Sequence, residues 1–281
     1  MTDANRLSRM LVTASEQEPG LWVADRQDSE ISYPETGHRN LASIEDDSYW
    51  FSHRAEALLV LLQRHPPKGC LFDIGGGNGY MVRALRNQGH DAVLLEPGMD
   101  GCRTALQRGL APVVNGTTHA VGLQQGSLSS VGLFDVVEHI GPDQEFLGHV
   151  FDLLEPGGRL YLTVPAHRAL WSANDVTASH FRRYSAGEIS KLVAGAGFVI
   201  LEATYLFRSL VVPVFLFRSV PYRFGVKKSR ANSREAHRLP TGVVGSLMSR
   251  SLARELRIIE NASRIGWGSS LLLACEKPHS A

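Results

Sequence analysis

The chain has 281 residues, a 43% hydrophobic fraction and a formal net charge of +1. This suits one large globular domain carrying an insertion, and the near-neutral total points to no partner by itself. Three well-separated cysteines, Cys70, Cys102 and Cys275, form no metal-type cluster or disulfide framework, which predicts a reduced, cytoplasmic protein. The first ten residues lack the apolar core of a signal peptide, and no stretch of ~20 uncharged apolar residues predicts a membrane span.

Residues 1–48 are mixed and polar, with Pro34 and Gly37, and read as an irregular arm or lid. Residues 48–65 carry apolar side chains at helical spacing and are stopped by Pro66, Pro67 and Gly69. Strands and helices then alternate. The strands are CLFDI, DAVLLE, APVV, VGLFDVV, RLYLTVPA, FVILEATYL and, near the C-terminus, SSLLLACEK. The helices between them are GYMVRALRNQG, MDGCRTALQRG, QEFLGHVFDLLEPGG and SAGEISKLVAGAG, the last opened by a Ser-x-x-Glu capping box. Alternation of this kind predicts a Rossmann-like α/β fold, a mostly parallel sheet with helices on both faces. Ligands of such sheets sit beyond the carboxyl ends of the strands. Asp73, Glu96, Asp135 and Pro165 all fall near such ends.

The first strand runs into DIGGGNG. Counted from Gly75 or from Gly77, the third position of a dinucleotide fingerprint falls on Tyr80 or Val82, and no Gly-Lys-Ser/Thr follows. Asp73, two residues ahead of Gly75, would repel a pyrophosphate at the following helix N-terminus. It suits a cationic ligand, such as S-adenosylmethionine with its ammonium and sulfonium groups. Glu96 closes the second strand, seventeen residues after Gly79, where an acid can accept from both ribose hydroxyls.

DIGGGNG followed by LLEPG resembles the class I S-adenosylmethionine-dependent methyltransferases. LFDVVEHI, LLEPGGRLYLTVPA and HFRRYSAGEISKLVAGAGF resemble later motifs of that superfamily. The likeness runs from Tyr49 to Leu206 and resumes at GWGSSLLLACEKP. The resemblance implies a seven-stranded sheet with the last strand antiparallel, a core of residues 49–205 and 265–281, and a cap inserted at 206–264. It also implies that Asp73, Gly75, Gly77 and Gly79 surround the methionine part of the cofactor and that Glu96, with Pro97 beside it, binds the ribose. Gly116 and Thr117 fall in the adenine-side loop, and Asp135 falls where cofactor or substrate contacts are often made. The family's acid after the third strand is missing from NGTTHAVGLQQGS.

Methyl transfer from a sulfonium is an in-line displacement, so the protein must align a nucleophile, exclude water and take up a proton where required. His139, His180 and His167 are candidate bases near strand ends, with Asp135 and Asp175 as alternatives. Asp135, Glu138 and His139 lie within five residues and, with His180, offer the oxygen and imidazole donors of a divalent site. This arrangement resembles that of small-RNA 2′-O-methyltransferases and, in part, ubiquinone-pathway O-methyltransferases, in which a Mg²⁺-type ion bridges substrate hydroxyls. The alternative is a structural Glu-His pair. Arg182 and Arg183 either grip an anionic substrate group or pair with a local acid such as Asp175, and Tyr184 lines the pocket. Tyr49, Trp50 and Phe51 either pack the first helix on the sheet or join a lid at the substrate, from which Arg54 would reach the cofactor carboxylate.

Residues 206–264 carry twelve Lys and Arg against three Glu, a surplus of +9 that leaves −8 on the rest of the chain. VVPVFLF between Arg208 and Arg218 suits a membrane interface through 206–224, or a shelter for a hydrophobic or phosphate-bearing acceptor. The bland reading is a solvated helical cap. The leading expectation is therefore methylation of an oxygen or carbon on a small lipophilic or anionic acceptor. A metal-assisted RNA-end 2′-O-methyltransferase is the first alternative, although no nucleic-acid-binding module is recognisable. A non-catalytic S-adenosylmethionine-binding partner protein is the second.

Overall fold

The computed structural model describes residues 4–26, 42, 44–227 and 234–279. The arm is not irregular where it is described. Helix α1 (Ala4–Met10) leads into an antiparallel hairpin of β1 (Ala14–Glu18) and β2 (Leu21–Ala24). Leu21, Trp22 and Ala24 are buried, while β1 is largely exposed and carries Glu16 and Glu18, charges that blunt a sheet edge. Gly20 turns the hairpin at φ +81°, and a Cβ there would lie 2.6 Å from that of Ala111. The rest of the arm, 27–41 and 43, lies outside the described residues.

Helix α2 (Tyr49–Arg64) is capped by Ser48, whose hydroxyl accepts from Phe51 N, and it buries Ala55, Leu58, Leu61 and Leu62. The alternation follows: β3 (Leu71–Ile74), α3 (Tyr80–Asn87), β4 (Ala92–Glu96), α4 (Met99–Gln107), β5 (Val113–Asn115), β6 (Leu128–Phe134), α5 (Asp143–Leu153) and β7 (Leu154–Pro165). Then come α6 (Ala173–Thr177), α7 (Ala186–Gly195) and β8 (Val199–Leu206). Every residue of β3 to β6 is buried, as strands covered on both faces must be.

The sheet has nine strands in the order β1-β2-β5-β4-β3-β6-β7-β9-β8, where β9 is Ser270–Glu276. Seven of them form the expected core, and β9 runs antiparallel to both β7 and β8 as expected. The two extra strands are the hairpin, which joins parallel to β5 through β2. A second difference lies in EPGG, read as a helix-ending turn. β7 already begins at Leu154, and the run is absorbed where the β6–β7 register shifts.

Between β8 and β9 the insertion is helical where described. A turn (Arg208–Leu210) leads to α8 (Val211–Val214), a π turn (Phe215–Ser219) and α9 (Val220–Arg223), with α10 (Arg234–His237) and α11 (Gly242–Glu260) beyond. Glu255 of α11 is buried and accepts from His53 Nε2 at 2.8 Å and from the backbone N–H groups of Phe207 and Arg208 at 2.6 and 2.8 Å. One acid thus ties the insertion to α2 and to the end of β8. Among the described residues no helix is long and apolar enough to cross a membrane. Cys70, Cys102 and Cys275 are buried and form no disulfide among the described residues.

Candidate active site

Three of the five described positive-φ residues other than glycine stand at one edge of the sheet. Asp135 (φ 58°), His167 (φ 60°) and Phe207 (φ 59°) directly follow, or follow within two residues, the ends of β6, β7 and β8. Backbone held in this region is commonly stored at functional sites.

The glycine turn lies at the same edge. Gly75, Gly77 and Gly79 all adopt positive φ, which explains their residue type. Asp73 lies beneath this turn, wholly buried. A Cβ on Gly76 would come within 2.3 Å of its Oδ2, so the turn rests directly on the carboxylate. Neither oxygen of Asp73 has a hydrogen-bond partner among the described residues. Burial pushes its pKa up to about 7, with Arg54 opposing and Glu96 reinforcing the rise. Glu96 accepts from Gly77 N at 2.8 Å and from Gly98 N at 2.7 Å. Pro97 O and Glu96 O both accept from Asn115 Nδ2, which fixes the end of β4 against β5. Thr117 Oγ1 accepts from Ala120 N and so shapes the loop after β5.

Residues 44–48 close over the turn. Glu45 is buried and accepts from Asn78 Nδ2 at 3.0 Å and Arg108 Nη1 at 2.7 Å. From α2, the buried Arg54 reaches the partly buried Asp135 in an ion pair, and Thr163 Oγ1 donates to the other Asp135 oxygen at 3.1 Å. Trp50 lies under the guanidinium, 4.4 Å from ring centroid to Cζ, and stacks on Phe207. The Nε–H of Arg54 is buried without a partner among the described residues. An orphaned carboxylate at Asp73 and an orphaned guanidinium N–H at Arg54 suit the ammonium and carboxylate of an amino-acid moiety.

Beyond β6, a single turn at Val137–His139 presents Glu138 and His139. Segment 180–184 runs alongside, joined by Phe181 N to Glu138 O at 2.8 Å and Tyr184 N to Pro165 O at 3.0 Å. This brings Glu138, His139 and His180 together, with one ligand atom from each inside a 4.8 Å span. Glu138 is wholly buried, neither oxygen accepts a hydrogen bond among the described residues, and His180 Nε2 is 4.0 Å away. Burial raises the Glu138 pKa well above the carboxylate range, and Asp135 adds to the rise. Burial and the neighbouring His180 push His139 down to about 4. Asp175 receives His180 Nδ1 at 3.0 Å and Arg183 Nε at 2.7 Å. Burial works against the Asp175 carboxylate, but these partners prevail and hold its pKa at about 2. With Nδ1 committed to Asp175, His180 presents Nε2 toward Glu138, the arrangement of a carboxylate-oriented ligand.

Several expected roles are corrected. Asp135 is engaged by Arg54 and Thr163 and does not join the Glu138–His139–His180 group, because the positive-φ turn sends its side chain toward α2. Arg182 pairs with Asp143 at 2.6 Å, and Arg183 is held by Asp175 and Ala166 O, which is the expected alternative of pairing with local acids. Tyr184 is buried with its hydroxyl on Asp143 at 2.9 Å, which takes it out of the pocket lining. His167 stacks on Tyr205, 5.2 Å between ring centroids, apart from the His139–His180 pair. Trp50 belongs to the packing of Arg54. Glu45, Thr163, Asn115 and Glu255 were not anticipated. Glu255 alone had a sequence signal, as one of three acids in a strongly basic insertion.

The methyltransferase domain family matches residues 47–203, more than half of the chain. A probable S-adenosylmethionine-dependent methyltransferase of Mycolicibacterium smegmatis is 25% identical over 179 residues, covering 62% of this chain and 68% of that protein. Among solved structures, a Thermotoga maritima S-adenosylmethionine-dependent methyltransferase described as a possible histamine N-methyltransferase superposes with a TM-score of 0.53 at 16% identity, over 86% of this chain and 95% of that one. Haemonchus contortus phosphoethanolamine N-methyltransferase 2, solved with S-adenosyl-L-methionine, gives 0.55 at 17% identity, over 89% and 58%. At these identities the structural likenesses show the fold, and the family match carries the assignment. The chain belongs to the methyltransferase domain family and is a class I S-adenosylmethionine-dependent methyltransferase.

Proposed function

We propose that the chain methylates an oxygen of a small lipophilic acceptor lying against Glu138, His139 and His180. The observation that carries this reading is Glu138, a wholly buried carboxyl group with neither oxygen hydrogen-bonded among the described residues, facing two imidazoles. A buried acid without partners is costly unless something compensates it. A divalent transition ion such as Mn²⁺ fits this set of one carboxylate and two imidazoles better than an ion that demands oxygen ligands alone. Held there, such an ion would bind an acceptor hydroxyl and favour its ionised form. His139, kept neutral by burial, is in the state a ligand requires, and Asp175 fixes the ring of His180. An anionic acceptor finds little support, since Arg182 and Arg183 already face acids.

When bound, the cofactor supplies a methyl on a sulfonium, and its C–S bond breaks as the O–C bond forms. Arg54 Nε and the Asp73 carboxylate hold the amino-acid end, Glu96 the ribose, and residues 44–48 exclude water over the turn. The test is methyl transfer from labelled S-adenosylmethionine to lipophilic phenols and catechols, with and without chelator. Mn²⁺ binding by electron paramagnetic resonance is read in parallel on the native chain and on Glu138→Gln. Oxygen methylation with Mn²⁺ binding that E138Q abolishes is expected. Methylation indifferent to both chelator and E138Q would overturn the reading.

The basic insertion favours one second reading, a ribose hydroxyl at an RNA end meeting the same donor set. Methylation of a short RNA in preference to every phenol would select it.

A further inference from the structure

Apolar surface is left bare on the helical run that follows β8. Phe217 and Phe224 are 78% and 85% exposed, and Val212 and Leu216 are exposed beside them. Positions 212, 213, 216, 217 and 224 are all exposed, and their spacing puts them on one side of a helical run. The other side is held to the core. Ser219 is buried, Arg223 Nη2 donates to Ala169 O at 3.0 Å, and its guanidinium covers the Phe215 ring. Ala169 lies in the turn just past His167, so the bare stripe flanks the carboxyl edge that carries the active site.

Charge says what fits this stripe. From Glu202 to Glu235 the sequence has seven Lys and Arg and no intervening acid, with Arg208, Arg218, Arg223 and Lys227 among the described residues. Exposed aromatic side chains bordered by cations alone have the chemistry of a helix lying in an anionic lipid surface. Contiguous exposed apolar patches on a protein usually mark such a contact.

We propose that α8, the π turn and α9 lie in the plane of an anionic membrane, with Phe217 and Phe224 entering the acyl boundary and Lys227 at the headgroups. The inference deepens the lipophilic-acceptor reading and rests on it. Docking of this kind places the open edge of the sheet against the phase in which such an acceptor dissolves.

The test is co-sedimentation of the full chain at low salt with vesicles of equal parts phosphatidylglycerol and phosphatidylcholine, and with pure phosphatidylcholine. Binding to the anionic vesicles alone is expected. F217S/F224S should weaken it at least about tenfold, and Lys227→Gln about fivefold. Failure to bind anionic vesicles, or binding untouched by F217S/F224S, overturns the proposal. So does a dimer in sedimentation velocity that F217S/F224S dissolves, since the stripe then covers a second copy. Displacement of the chain from vesicles by a short RNA, with RNA affinity insensitive to F217S/F224S, also overturns it. Methylation of lipophilic phenols in detergent without vesicle binding sinks the docking and leaves the acceptor reading standing. Vesicle binding without any such methylation does the reverse.

Discussion

Arg54 and Asp135 close a partly buried ion pair between α2 and the turn beyond β6. Trp50 supports the guanidinium from below, and Thr163 holds the second carboxylate oxygen. Removing one partner leaves the other largely out of water without its counter-charge, at a cost of about 1–3 kcal/mol. Arg54→Gln should therefore lower the thermal midpoint by several degrees, and the double variant with Asp135→Asn should recover part of the loss. Thermal unfolding followed by circular dichroism measures the cycle. Strictly additive losses would show that the two groups do not act as a pair.

Asp73 makes cofactor binding depend on pH. Its native pKa of about 7 lies above the unfolded value of 3.8. Between those values the native state holds a proton that the unfolded chain has released, so stability without cofactor falls as pH rises through that window. Binding of an ammonium group favours the carboxylate, so cofactor affinity should rise from pH 6 to pH 8, with proton release below pH 7. Titration calorimetry in buffers of different ionisation enthalpy reads both. Asp73→Asn should abolish the pH dependence and weaken binding roughly 10- to 100-fold.

Two glycines should respond oppositely to alanine. At Gly76 a Cβ meets Asp73 Oδ2 at 2.3 Å and Leu94 Cδ1 at 2.7 Å, both fixed in the core. Gly76→Ala is expected to destabilise by about 1–3 kcal/mol and to weaken cofactor binding. Gly148 sits inside α5 with nothing within 4 Å of its Cβ direction, so Gly148→Ala should stabilise by about 0.5–1 kcal/mol. Urea unfolding of both variants checks the contrast, and equal effects would refute it.

Asp175 is expected to act through His180. Asp175→Asn leaves the Ser172 cap partly satisfied but weakens the orientation of the imidazole and frees Arg183. Mn²⁺ affinity should fall about 10- to 100-fold. Asp143→Asn, which loosens Arg182 instead, should leave it close to native. The same loss in both variants would indicate general disruption of the loop and no specific role for Asp175.

What the sequence determined was local. The order of apolar runs set the seven core strands, and three glycines at alternate positions announced a turn that needs positive φ. Asp73 and Glu96 were legible because each lies beside such a strand end. The hairpin β1–β2 was not, because ASEQE is polar and reads as loop until β2, itself seated on the edge of β5, offers it a partner. Periodicity records which side of an element is buried and carries no information about the partner that buries it. Arg54 meets Asp135 across 81 residues, and His53 meets Glu255 across 202. Only the folded arrangement of α2 and the insertion about the sheet decides such pairs, because a buried charge takes whichever counter-charge the tertiary structure delivers. The same arrangement turned Arg182 and Arg183 inward to acids and left Glu138 facing two histidines.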